Sequence, residues 1–285
     1  MKKIFSFIIV IILVSCYRTD NSTNQTEIRI ISLSPHITEI IYALDADSDL
    51  VAVTDFCNYP AAAKENESIG GLLNPNIEKI VSLKPTHLFG VPSHSKLNQE
   101  ISKFGLKILM MPNETLSDIQ NIISIISDTL RIPESGKKLN ESIQNNINQL
   151  KKDQNANFTA MLVIGREKGS VKNITVAGPN TFLNETWELA GGINIFNDLK
   201  NKYATVNIEE IIKRNPEIII EFNMNLPEGI IKTDSGKEWK YLNSVNAVKQ
   251  KMMFEIGGNY SLIPGPRVIN LVKDFSMILN IVSKN

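Results

Sequence analysis

Cysteine, histidine and charge imbalance are all scarce in this chain, and each scarcity closes off a class of protein. The 285 residues balance 30 Lys+Arg against 30 Asp+Glu, so no broad basic field points to nucleic acid. The six arginines are scattered, whereas a site for multiply anionic ligands favours grouped guanidiniums. Three histidines and two cysteines do not make a bare-zinc site, which needs three or four converging ligands. There is no Gly-x-Ser-x-Gly elbow, no phosphate-cradling glycine loop and no metal-ligand pair at helical spacing; "GPN" and "GGIN" are glycine turns without phosphate-loop spacing. The chain therefore reads as a non-enzyme that holds no cofactor and no metal of its own. Low-complexity tracts are missing too, and 42% of residues are hydrophobic, enough for one large or two modest cores.

What is present begins with a leader. Lys2 and Lys3 precede an apolar run, Ile4 to Val14, the length of a signal-peptide core and too short to span a bilayer. The run ends in "LVSC", which resembles the lipobox of bacterial lipoproteins; the resemblance makes Cys16 the acylated first residue of the mature chain. Residues 17–26, "YRTDNSTNQT", are polar and aperiodic, as a tether should be. Cleavage leaves 28 Lys+Arg against 30 Asp+Glu, and Cys57 as the one free thiol, so no internal disulfide forms. Stability must come from the core.

The expected architecture is α/β: two similar lobes with mainly parallel sheets flanked by helices, joined by a long rigid helix. Strand runs such as "IRIISLS", "DLVAVT", "THLFGV" and "LKILMM" alternate with helical stretches, among them "TEIIYALDA" with Thr38 as its N-cap. From Ser117 to about Asp153 no strand appears. Pro133 divides this segment into two helices, and Leu139, Ile143, Ile147 and Leu150 put a narrow apolar stripe on the second, a strut between lobes. The strand–helix pattern then restarts with "TAMLVIG" and runs to a terminal helix in "GPRVINLVKDFSMILNIV". The division is 1–15 leader, 16–26 tether, 27–116 first lobe, 117–155 linker and 156–285 second lobe.

Two segments occur twice in the same order. "NIEKIVSLKP" and "NIEEIIKRNP" share Asn-Ile-Glu and a proline at the same distance; upstream of them, "LSPHITEIIYALDA" and "AGPNTFLNETWELAGG" both pass from strand through proline to helix. Two facing lobes would thus each present one first-turn carboxylate, Glu78 and Glu209, matching a two-fold partner that carries arginines.

The mature chain, from about Arg29 onward, resembles the substrate-binding proteins with a helical backbone that serve ABC importers of cobalamin, haem and ferric siderophores. The resemblance rests on "RIISLSPHITEIIYALDA", "VTDFCNYP", "GGLLNPNIEKIVSLKPTHL", "AGPNTFLNETWELAGGINIF", "VNIEEIIKRNPEIII" and "IPGPRVI", all in family order. It implies a monomeric, extracytoplasmic binding lipoprotein, with Glu78 and Glu209 docking to the permease dimer. "VTDFCNYP" and "GNYSLIPGPR" resemble the cobalamin carriers most, with haem or a ferric siderophore as the alternative cargo. Where some cobalamin binders carry a tryptophan, this chain has "GGLLN".

A corrin has apolar faces fringed by neutral amides, so its cleft needs aromatic and aliphatic walls and little charge. Pro35, His36, Tyr59, Leu72, Asn259 and Tyr260, on loops at strand ends, are the candidate ligand-binding residues, and Tyr59 matches a family position where an aromatic ring meets the ligand. His36 also stands where it could reach a ligand metal. His87 reads as a structural strand residue, His94 as a residue of the cleft mouth, Cys57 as a small buried thiol, and Trp187 and Trp239 as packing residues. Arg267, in "PGPR", lies near the cleft or pairs locally at the start of the last helix.

Overall fold

The computed structural model describes residues 27–151, 157–233 and 236–284. The leader, Cys16 and the tether lie outside the described residues. In the first lobe β1 (Ile30–Ser32), α1 (Pro35–Ala43), β2 (Leu50–Val53), β3 (Glu67–Ser68), α2 (Ile77–Ser82), β4 (His87–Gly90), α3 (Ser95–Ile101) and β5 (Ile108–Met110) follow one another. The five strands form an all-parallel sheet in the order β3-β2-β1-β4-β5. Ile30 and Ile31 are fully buried in its centre, as a strand covered on both faces requires.

Helix α1 begins one turn earlier than its apolar spacing predicts. Pro35 occupies the first helical position, where its missing N–H costs nothing, and Ser34 is the N-cap. Thr38 is therefore not the cap. It sits inside the helix, fully buried, where its hydroxyl donates to Ser32 Oγ at 2.8 Å and lies in hydrogen-bonding contact with Cys57 Sγ at 3.1 Å.

The connector is α4 (Leu116–Thr129) followed by α5 (Pro133–Lys151). A reciprocal capping box starts α4: Thr115 Oγ1 accepts from Asp118 N–H, and Asp118 Oδ2 accepts from Thr115 N–H, both at 3.0 Å. Arg131, at φ 62°, and Pro133 break the chain between the two helices. The helices pack so closely that a Cβ at Gly136 would lie 2.0 Å from Ser127 Oγ. At 1.5 Å per residue α5 is about 28 Å long. Its Ile143 and Ile147 are buried, and it lies against α4, α6 and α9.

The second lobe holds β6 (Thr159–Gly165), β7 (Ile174–Ala177), α6 (Phe182–Leu189), β8 (Ile193–Asn194), β9 (Tyr203–Val206), α7 (Ile208–Arg214), β10 (Ile218–Asn223), β11 (Ile231–Thr233), α8 (Asn246–Lys249), β12 (Met253–Gly257) and α9 (Val268–Val282). Its sheet runs β11-β12-β10-β6-β7-β9, with β8 on β6. Pairings of β6, β8, β10 and β12 are parallel, while β7, β9 and β11 add antiparallel edges. Among the described residues no helix is long and apolar enough to cross a membrane.

Candidate functional site

Loops at the carboxyl ends of six strands converge on one cleft of about 740 Å³. Ser34–His36 follow β1, Phe56–Tyr59 and Lys64 follow β2, Leu72 follows β3 and Asn113 follows β5. From the second lobe come Met224 and Leu226–Glu228 after β10, and Gly258, Asn259 and Leu262–Pro264 after β12. Parallel strands place their ligand crevice at this end because the connecting loops can vary without disturbing the sheet.

Five of the six expected residues line this cleft: Pro35, His36, Tyr59, Leu72 and Asn259. Tyr260 does not. It is 2% exposed and its hydroxyl donates to Asp274 Oδ2 inside the second lobe. Asn259–Leu262 is a 3-10 turn, and that turn directs adjacent side chains apart, one to the cleft and one to the core. Sequence reasoning missed Phe56 and Met224, both 57% exposed and lining the cleft from opposite lobes. The signal for Phe56 lay in "DFCNYP" itself: Cys57 is the buried anchor of that loop, hydrogen-bonded to Thr38 and Thr54, so its neighbours face outward. Burial pushes the Cys57 thiol pKa up, so it stays protonated and inert.

The three histidines do three different jobs. His36 is buried; Nδ1 pairs with Ser34 Oγ at 2.9 Å and Nε2 has no partner. Burial, and then the nearby His94, lower its pKa to about 3, so the ring is neutral. His94 is not at the cleft mouth. It is buried behind the 70–75 loop, where its Nδ1 accepts from Val91 N–H at 3.0 Å and its Nε2–H therefore donates to Leu72 O at 2.9 Å. It fixes Leu72 from behind. His87, half-buried on β4, pairs with Thr86 Oγ1 at 2.8 Å. No group of three or more metal-ligating side chains occurs among the described residues.

Arg267 lies under the cleft rather than beside the local helix start alone. Its guanidinium donates to Glu39 at 2.6 and 2.9 Å, to Asn259 Oδ1 at 2.9 Å and to Glu228 Oε1. Its carbon stands 3.7 Å from the centroid of the Tyr59 ring. The arginine is thus committed to two carboxylates, and the charged side chains left on the cleft lining are Lys64 and Glu228.

The matched glutamates lie elsewhere, on the outer surface. Glu78 and Glu209 are exposed in the first turns of α2 and α7. Asn76 and Asn207 cap these helices in the same way, each Oδ1 accepting the N–H three residues on, at 2.9 and 2.8 Å.

A family model described as periplasmic binding protein matches residues 30–260. The chain belongs to the periplasmic binding protein family. Within it, the vitamin B12-binding protein of Vibrio parahaemolyticus is 28% identical over 251 residues, 87% of this chain and 88% of that one. The crystal structure of the periplasmic vitamin B12 binding protein of Vibrio cholerae is 28% identical, with a TM-score of 0.72 over 90% of this chain and 98% of that one. The periplasmic haem binding protein of Vibrio cholerae, at 20% identity and TM-score 0.72 over 90% and 99%, shares the fold. As periplasmic binding proteins do, this chain sets two α/β lobes around one cleft.

Proposed function

We propose that this protein captures cobalamin or a related corrinoid in its inter-lobe cleft and delivers it, unaltered, to an ABC importer. The observation that carries the reading is the charge of the cleft. Its arginine is held by Glu39 and Glu228, so no free guanidinium faces a ligand; apart from Lys64 and Glu228 itself, the walls are mainly aromatic, aliphatic and amide groups. Such a wall suits a large ligand with apolar faces and neutral amide edges, and it is poor for carboxylate-rich haem or an anionic ferric siderophore. The vitamin B12-binding relatives support the same reading.

In this account Phe56, Tyr59 and Met224 pack on the corrin, while Asn58, Asn113 and Asn259 meet its amides. Glu78 and Glu209 dock the two lobes onto arginines of a two-fold permease. Acylated Cys16 tethers a monomer to the outer face of a membrane, with residues 16–26 as the leash. The chain carries no cofactor or metal of its own.

The test is ligand recovery. The protein is incubated with cyanocobalamin, passed over a sizing column, denatured, and the released ligand analysed. One equivalent of unaltered cyanocobalamin is expected. Chemically changed corrinoid would make the protein an enzyme, and no co-eluting corrinoid would remove the corrin reading.

A further inference from the structure

Among the described residues, hydrogen bonds join the two lobes at two places of different character. One is at the connector, where Leu116 N–H donates to Glu185 Oε2 at 2.6 Å and Phe182 N–H to Glu114 O at 2.5 Å. These bonds sit where α4 begins. The other is at the floor of the cleft. Here Arg267, N-cap of α9 in the second lobe, reaches Glu39 on α1 in the first, 228 residues earlier in the chain. Glu39 is 4% exposed and Arg267 is 8% exposed, so neither end is a surface ion pair.

Three details show how closely the lobes are fitted at this point. The guanidinium uses Nε and one terminal nitrogen as a fork on Glu39, and the remaining contacts with Glu228 and Asn259 hold it in its own lobe. Its face carries the Tyr59 ring, again from the first lobe. Beside it, a Cβ on Gly265 would come within 3.2 Å of Glu39 Oε2, so the loop before α9 presses directly on α1. Glu39 lies one turn after His36 and Pro35, which line the cleft.

We propose that Arg267 is an inter-lobe latch and the positioning residue of the cleft. It fastens Glu39 and Tyr59 of the first lobe to Glu228 and Asn259 of the second, fixing the width of the cleft and the ring that walls it. It offers no charge to the cargo. The proposal rests on the reading of this cleft as the cargo site, but its geometry can be tested without cargo. Lysine could not replace the arginine fully, because one ammonium cannot make a planar fork on Glu39 while also holding Glu228 and Asn259.

The experiment measures the distance between lobes in the free protein. Spin labels are placed on Lys103→Cys and Lys249→Cys, exposed positions in the two lobes; buried Cys57 stays unlabelled. The variants are the double change Glu39→Gln with Arg267→Met, which removes the latch without stranding a buried carboxylate, and Arg267→Lys. The latch predicts a longer, broader distance distribution in the double variant and an intermediate one in Arg267→Lys. It also predicts cyanocobalamin leaving the double variant roughly tenfold faster or more. An unchanged distance distribution in the folded double variant overturns the latch, whatever happens to affinity. Should that variant not fold, Arg267→Lys decides alone: a distribution identical to that of the unsubstituted protein overturns the proposal. If the unsubstituted protein itself fails to hold cyanocobalamin, the cargo reading falls while the distances still judge the latch.

Discussion

The two lobes repeat one outer device and diverge inside. Helices α2 and α7 share an asparagine cap, an exposed first-turn glutamate and a proline at the same distance. Helices α1 and α6, which precede them, do not share a role. α1 starts at its proline, sets Pro35 and His36 on the cleft lining and holds Glu39 against Arg267. In α6 the proline lies outside the helix, Thr181 caps it, and Thr186, Asn184 and Trp187 are buried in the second lobe. Asn184 serves internal order there, bonding Asn194 and Glu188. Under the proposed docking, a surface that meets a symmetric partner would keep its symmetry, whereas a cleft for an asymmetric ligand would not need it.

The asymmetry is steepest at Arg267, and breaking it should have the largest effect on stability. Arg267→Met strands the buried carboxylate of Glu39 and should cost about 3–5 kcal/mol in urea unfolding. Much of that loss should return when Glu39→Gln is added, because the stranded charge has gone.

His36 should give the next effect, one that depends on pH. Its folded pKa of about 3 lies below the ordinary value of 6.5, so the unfolded chain binds a proton that the folded one refuses. The stability contributed by neutral His36 is fully present above pH 6.5 and is lost progressively toward pH 3. Urea midpoints across that window should fall for the natural protein and fall less for His36→Gln. Parallel curves would mean that His36 is not the group responsible.

Recognition should respond next. Phe56→Ala, which exposes no core, should weaken cyanocobalamin binding by about tenfold, or 1.4 kcal/mol, with little change in melting. Asn76→Ala should cost about 1 kcal/mol, since it removes the cap of α2. Asn207→Ala should cost less, because α7 is also held by Arg214, which bonds Glu210 and Asp198 and lies over the Phe196 ring. Unequal losses would sharpen the comparison of the lobes.

The smallest effect on the isolated protein is expected at the exposed first-turn glutamates of α2 and α7. Glu78→Arg and Glu209→Arg should leave stability within about 0.5 kcal/mol and cargo affinity unchanged. Transport through the permease should nevertheless fall in the pair, and retention of full transport would remove these residues from the interface.

Much of this arrangement was legible in the sequence because it is local. Apolar runs ending at glycine or proline gave the central strands, and the repeated Asn-Ile-Glu gave α2 and α7. Short edge strands such as β3 and β8 escaped, because two residues carry no period. Pro35, His36, Tyr59, Leu72 and Asn259 were reachable as loop residues after strands. Tyr260 was misplaced because a 3-10 turn reverses the facing of neighbours in a way the sequence does not announce. The placement of His94 failed for a similar reason: a buried imidazole bonded to two backbone groups reads, in one dimension, like any polar loop residue. The Glu39–Arg267 pair was out of reach altogether, since nothing at either position names a partner 228 residues away.

The most direct test of the central claim is calorimetric titration of the protein with cyanocobalamin beside haem and a ferric siderophore. The account predicts saturable one-to-one binding of cyanocobalamin, with the two anionic ligands far weaker. Tight binding of haem or siderophore without cobalamin would contradict it.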